Sequence, residues 1–262
     1  MASLLKSAWQ YRGFVATSVA NEFKTRLARS KFGTAWLVLH PLAQVLIFAL
    51  VLTNVLAARL PGVDNKFAYA IYLLSGILCW SLFNEIVQRL VTVFIDNGSL
   101  LKKIQFPRIT LPLVVVGSAM VSNLALLGVI LLGLPAFGVY PNLNYLWLPV
   151  LMLITVALAT GIGLLLGTLN VFVRDIAQAT MVVLQFWFWV TPIVYPINVV
   201  PEAFKVTLSL NPVMPLVMGY HNVIVFGTAP PALWGSLITA LVFLALAMVV
   251  FRRASSEMVD VL

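Results

Sequence analysis

Charge is what this chain has least of. Eight acidic and sixteen basic residues are spread over 262 positions, so charged side chains make up 9% of it, against about 25% in a soluble globular domain. A soluble chain of this length can bury a core, but not the 62% of its residues that are hydrophobic. Mean hydropathy is +1.04, and the solvent that such a composition requires is the bilayer. Cysteine is nearly absent as well. The single Cys79 excludes a disulfide framework and a cysteine-based metal centre, and inside an apolar run it reads as a small buried hydrophobe. Only two histidines occur, His40 and His221, far apart and with no acid beside either. They read as lone polar residues at span ends and give a metal site little support. No Gly-x-x-x-x-Gly-Lys-Ser/Thr loop is present, so the chain has no phosphate cradle of its own. Gly161, Gly163 and Gly167 lack the lysine and read as small residues that let helices approach closely. The first 31 residues hold no compact apolar core before a cleavage site, so no secretory signal is expected.

What remains is apolar runs, and they are long. Backbone in lipid must satisfy its own hydrogen bonds, so only helices or closed barrels span. Barrel strands alternate over about ten residues; these runs do not alternate. A spanning helix needs roughly 20 apolar residues, and the charges mark the boundaries. An all-α integral membrane protein with six transmembrane helices follows, at about 34–57, 68–94, 109–135, 146–171, 177–195 and 231–251. The break between the third and fourth is Phe137-Gly138-Val139-Tyr140-Pro141-Asn142, rich in turn formers.

Two pieces do not fit simple spans. In residues 1–31, Leu4, Ala8, Tyr11, Val15, Val19, Phe23 and Leu27 recur on one drifting helical face. An amphipathic helix in the cytoplasmic interface, in contact with membrane lipids, fits this segment; an ordinary basic tail is the alternative. Residues 197–229 contain Pro212, Pro215, Gly219 and Gly227, and proline inside a helix removes a hydrogen bond. Charge decides how to read them. With six spans, twelve basic residues fall on the cytoplasmic side, from Lys6 through Arg253, and three (Arg59, Lys66, Lys205) fall outside. A seventh crossing would move Arg252 and Arg253 outside. Residues 197–229 are therefore expected to enter the outer leaflet and return, leaving both termini in the cytoplasm. One membrane domain covers 1–262. The same distribution, with bases between apolar runs, turns the net charge of +8 away from nucleic acid.

Polar groups inside spans are candidates for function. Glu85 and Arg89 are four apart and able to pair, with Asn84 and Gln88 on nearby faces. The group reads either as a structural pair or as a polar lining on a substrate path. The exit of the fifth span, Phe186-Trp187-Phe188-Trp189 and on to Tyr195-Pro196, reads either as an interfacial aromatic belt or as rings lining a pathway for sugars, whose apolar C–H faces pack on aromatic rings. Trp187 and Trp189 differ by about 200° around a helix, so they cannot share one path. A secondary transporter would show buried acids, and Glu85 alone is available. A lipid-processing enzyme needs a carboxylate outside, and only Asp64 and Glu202 qualify. A non-transporting scaffold is a third alternative.

Several segments, in order, resemble one family over nearly the full length. Arg29-Ser30-Lys31-Phe32-Gly33-Thr34-Ala35-Trp36 with His40-Pro41, Leu101-Lys102-Lys103-Ile104-Gln105-Phe106-Pro107-Arg108 with Leu111-Pro112, Phe172-Val173-Arg174-Asp175-Ile176, Thr191-Pro192-Ile193-Val194-Tyr195-Pro196, and Asn211-Pro212 are similar to ABC-2 type permease subunits that export O-antigen and related polysaccharides. The resemblance implies a homodimer with two copies of a separate ATP-binding subunit, which would hold ATP and magnesium. No cofactor is expected in this chain, and no catalytic or metal-binding residue. It also implies export of a lipid-linked polysaccharide across a bacterial inner membrane; teichoic acid, capsule and drug exporters are alternatives. Residues 96–106 are then a short coupling helix, with Lys102, Lys103, Phe106, Pro107 and Arg108 facing the ATPase. Arg174 and Asp175 supply a second contact or a local cap, and Arg26 and Arg29 a further contact. Glu85, Gln88, Trp187, Trp189 and Tyr195 would line the substrate pathway, and Pro196, Asn211 and Pro212 would shape the re-entrant segment.

Overall fold

The computed structural model describes residues 11–29, 33–50, 67–103, 107–255 and 257–258. These form ten α-helices and no strand. They are α1 (Arg12–Arg29), α2 (Trp36–Leu50), α3 (Ala68–Asp96), α4 (Gly98–Lys103), α5 (Thr110–Gly133), α6 (Trp147–Asn170), α7 (Asp175–Val190), α8 (Glu202–Ser209), α9 (Met214–His221) and α10 (Trp234–Ala254). Among the described residues, four helical stretches are long and apolar enough to cross a membrane: Ala68–Asp96, Thr110–Phe137, Leu143–Asn170 and Trp234–Ala254. They coincide with the second, third, fourth and sixth expected spans. Of the first, residues 36–50 are helical and 51–57 lie outside the described residues. The fifth is shorter than 177–195, because α7 has 16 residues and stops at Val190. That is about 24 Å of helix, less than the ~30 Å of a hydrocarbon core.

Contacts at the helix ends give the connectivity. Phe67 and Phe137 meet edge to face at 5.0 Å, so the start of α3 and the end of α5 share one end of the bundle, here termed upper. Phe94 stacks on Phe251 at 5.6 Å, and Asn170 donates to the Val91 carbonyl at 2.9 Å. The end of α3, the end of α6 and the end of α10 therefore share the other, lower end.

α3 is the central element. Nineteen of its 29 residues are buried, and α2, α5, α6, α7 and α9 all pack on it. Glycine sets the closest approaches. A Cβ on Gly163 would lie 2.9 Å from Leu90 Cβ, one on Gly167 would fall on the Leu90 carbonyl oxygen, and one on Gly161 would lie 2.7 Å from the backbone nitrogen of Leu244. The expected role of these glycines holds: they let α6 lie directly against α3 on one side and α10 on the other, where dispersion contacts and not the hydrophobic effect hold helices together.

The segment between α7 and α10 dips into the bundle from the upper end. Asn211 bonds to Trp187 and Thr191, well below the top of α3. The chain then climbs through α9, where Gly219 faces Leu151, and through one π-helical turn, Asn222–Phe226. It tops out at Gly227, whose carbonyl accepts from Asn142 and Asn144 at 2.9 and 2.6 Å. Gly227 has φ +65°, a conformation that costs other residues about 1 kcal/mol or more.

Candidate functional site

Three helices enclose a polar cleft of about 390 Å³. From α2 come Trp36, His40 and Gln44, four apart and hence on one face. From α3 come Ile77, Trp80, Ser81, Asn84 and Glu85, again one face at helical spacing. α5 closes the cleft with Ser122, Asn123 and Leu126. The hydroxyls are spent internally: Ser81 donates to the Leu78 carbonyl at 3.1 Å and Ser122 to the Ser118 carbonyl at 3.0 Å. Asn123 donates to the same Leu78 carbonyl at 2.9 Å and so ties α5 to α3. Among the described residues the side chains of His40 and Gln44 have no hydrogen-bond partner. Among the described residues Glu85 is the formally charged group that lines the cleft, and Arg89 one turn below pairs with it.

One turn of α3 below Glu85 sits an ionic cluster that the sequence only half disclosed. Arg89 Nη1 meets Glu85 Oε1 at 3.2 Å, the expected pair. Its Nη2 also reaches Glu22 of α1, at 2.9 and 3.0 Å from the two carboxylate oxygens. Ser118 of α5 donates to Glu22 Oε2 at 2.6 Å. One carboxylate therefore joins α1 to α3 and α5, and α1 packs on α5, with Val19 close against Gly117. Glu22 was missed, although a signal existed: it is the sole acid before Asp64, in a segment full of bases.

The exit of α7 is irregular backbone, and side chains satisfy it. Tyr69 donates to the Val194 carbonyl at 2.6 Å, and Tyr72 to those of Tyr195 and Pro192 at 3.0 and 3.3 Å. His221 is not a lone residue at a span end. It is buried, stacks on Tyr72 at 3.7 Å, lies 2.8 Å from Ser75 Oγ and reaches the Pro192 carbonyl at 3.3 Å. Asn211 is the hinge of the dip. Its oxygen accepts from Trp187 Nε1 and from the Val213 N–H, each at 3.0 Å, while its amide donates to Thr191 Oγ1 at 2.8 Å. The Pro212 carbonyl accepts from Ser236 at 2.7 Å, and Pro196 leads into a short 3₁₀ turn, Ile197–Val199.

Of the five residues expected on a pathway, Glu85 lines the cleft and the other four do not. Gln88 is exposed and donates to Asn84 Oδ1 at 3.2 Å. Trp187 packs edge to face on Phe83 at 5.3 Å, while Trp189 is exposed; the two indoles point to different surroundings, as their spacing requires. Tyr195 donates to the Trp189 carbonyl at 2.9 Å.

At the lower end, α4 carries Lys102 and Lys103, whose side chains, like those of Arg26 and Arg29 on α1, lie outside the described residues, as does the whole of Phe106. Pro107 and Arg108 are half-buried, and the Pro107 carbonyl accepts from the Thr110 N–H and hydroxyl at 3.0 and 2.7 Å, which turns the chain into α5. Arg174 and Asp175 are exposed. The side-chain bond at the start of α7 comes from Asn170, whose Oδ1 accepts from the Ala177 N–H at 3.0 Å.

A helical bundle with four helices long and apolar enough to cross a membrane, joined to a dipping segment and a polar cleft, defines a multi-pass membrane protein. The family profile described as ABC-2 type transporter matches residues 14–225, and the chain belongs to that family. It is 28% identical over 225 residues to the O-antigen export system permease protein RfbA of Myxococcus xanthus, covering 85% of this chain and 84% of that one. It is 28% identical over 207 residues to the protein of the same name from Klebsiella pneumoniae, covering 79% and 78%. To the polysialic acid transport protein KpsM of Escherichia coli it is 23% identical over 200 residues, covering 75% of each.

Proposed function

We propose that this chain is the membrane subunit of an ATP-driven exporter that moves a lipid-linked, O-antigen-like polysaccharide across a bacterial inner membrane. The observation that carries the reading is kinship with O-antigen export permeases over 79–85% of the chain, joined to a polar cleft inside an otherwise apolar bundle. Polar groups facing lipid are costly and are kept where they line a path or a partner. The chain acts as a homodimer with two copies of an ATP-binding subunit, which bind ATP and magnesium. Lys102, Lys103, Phe106, Pro107 and Arg108 contact that subunit at the lower, cytoplasmic end, with Arg174, Asp175, Arg26 and Arg29 around them. Six crossings place both termini in the cytoplasm, and residues 197–229 re-enter from the outer face. Within that segment the carbonyls of Pro212, Ile224 and Gly227 accept from Ser236, Tyr145, Asn142 and Asn144, which is what irregular backbone at membrane depth needs.

Deletion of the gene tests this. The expected result is surface loss of one polysaccharide and its accumulation inside, reversed by the wild-type chain. The chain with Lys102→Glu and Lys103→Glu should insert at normal level and fail to restore export. Normal surface polysaccharide after deletion would sink the export reading; full rescue by the charge-reversed chain would sink the coupling role of α4.

A further inference from the structure

We propose that Glu22 is a positioning residue for export: through Arg89 it clamps α1 to the α3–α5 wall of the cleft, so that a displacement of α1 by the ATP-binding subunit is carried to Glu85 in that wall. The partner rests on the export reading; the residues rest on the ion-pair geometry.

Arg89 is one side chain with two carboxylates on its fork. Its Nη2 meets Glu22 of α1 at 2.9 Å, and its Nη1 meets Glu85 of its own helix at 3.2 Å. The planar guanidinium holds both in a fixed relation. The Glu22 Oε2 that accepts from Nη2 at 3.0 Å also accepts from Ser118 of α5 at 2.6 Å. In lipid the hydrophobic effect does not press helices together, so polar bonds and close packing set where a helix sits. For α1 the packing is on α5, and the pair with Arg89 carries the link across to α3. Glu85 in turn lines the cleft beside Ser81 and Asn84. Arg26 and Arg29, proposed against the ATP-binding subunit, follow Glu22 within two turns of α1. The cluster has two arrangements, with Arg89 shared between both acids or held by Glu85 alone. Ionic networks with two discrete arrangements carry coupling between sites. The ionised groups are each about a quarter exposed, so passing from one arrangement to the other does not strand a bare charge in a dry interior.

The test uses the permease together with its ATP-binding subunit, in the gene-deleted strain and as the purified complex in lipid nanodiscs. Three quantities are read for each variant: permease in the membrane, surface polysaccharide, and ATP hydrolysis by the complex. Glu22→Gln keeps the size and removes the charge. It is expected to hold membrane amount and hydrolysis within twofold of wild type while surface polysaccharide falls at least fivefold. Glu22→Asp keeps the charge on a shorter arm and should retain at least half of wild-type export. If Glu22→Gln is absent from the membrane, Arg89→Lys, which keeps the cation and loses the fork, is read by the same three quantities with the same expectation. A loss of fold stability alone lowers all three together. Wild-type export by Glu22→Gln, equal fractional loss of hydrolysis and export, or a Glu22→Asp chain no better than Glu22→Gln would overturn the proposal. Normal surface polysaccharide in the deleted strain overturns the export reading before any variant is compared, whereas an unimpaired Glu22→Gln chain overturns the clamp and leaves that reading standing.

Discussion

Glu22 shows how much one side chain holds at the residue scale. It accepts from Arg89 and from Ser118, and the three ionised groups of the cluster are each about a quarter exposed. A pair so placed is screened less than a surface ion pair but has not lost all its water. Glu22→Gln is therefore expected to cost about 1 kcal/mol. Arg89→Gln should cost more, about 3 kcal/mol, because it leaves Glu22 and Glu85 without their shared cation. The double variant should cost less than the two single losses added together, read by thermal unfolding of the purified protein. Strict additivity would mean that the two side chains do not meet. Arg89 with Glu85 was legible from a spacing of four. Glu22 was not, because its partner is 67 positions away and only the packing of α1 on α5 brings it there.

At the scale of elements, the glycines of α6 make the sharper case. Gly167 faces the Leu90 carbonyl, and a backbone group cannot swing aside as a side chain can. Gly128 in α5 faces open space. Gly167→Ala should destabilise by about 1–3 kcal/mol through overpacking, whereas Gly128→Ala should be neutral or slightly stabilising, since alanine has the better helix propensity. Comparing the two midpoints of thermal unfolding in one detergent checks the difference, and equal values would refute the contact. The dip between α7 and α10 belongs to the same scale. Its turn formers marked it as unlike a span, but which carbonyls needed partners, and that Tyr69, Tyr72 and His221 stand among them, depended on the turn of α3 that faces it. His221 looked isolated in sequence because Ser75 lies 146 positions away.

For the whole molecule, α7 and α10 turn apolar side chains outward. Val182, Val183 and Phe186 on one and Ile238, Leu241 and Val242 on the other are exposed, as is comfortable in lipid, which is no less apolar than leucine. The direction of each crossing then decides where charges sit. Single cysteines at Glu202 and Arg253, probed with a membrane-impermeant maleimide on intact and on opened cells, should label from opposite sides. Cys79 is fully buried and should stay silent. Labelling of both positions from the same side would mean that 206–229 crosses the membrane, and the six-crossing reading would be lost.

Composition and run length alone determined that this chain lives in a bilayer, that it is helical, and where most helices begin and end, because the cost of putting charge or unpaired backbone in lipid is paid locally and shows residue by residue. The four full-length apolar helices and the glycine contacts of α6 were legible for that reason. Only the tertiary structure decided that Trp36, His40 and Gln44 meet Trp80, Asn84 and Glu85 across one cleft, and that Trp187, Trp189 and Tyr195 stand apart from it. Such a site depends on how helices rotate and cross, and those angles come from contacts between residues distant in sequence, to which no local spacing is sensitive.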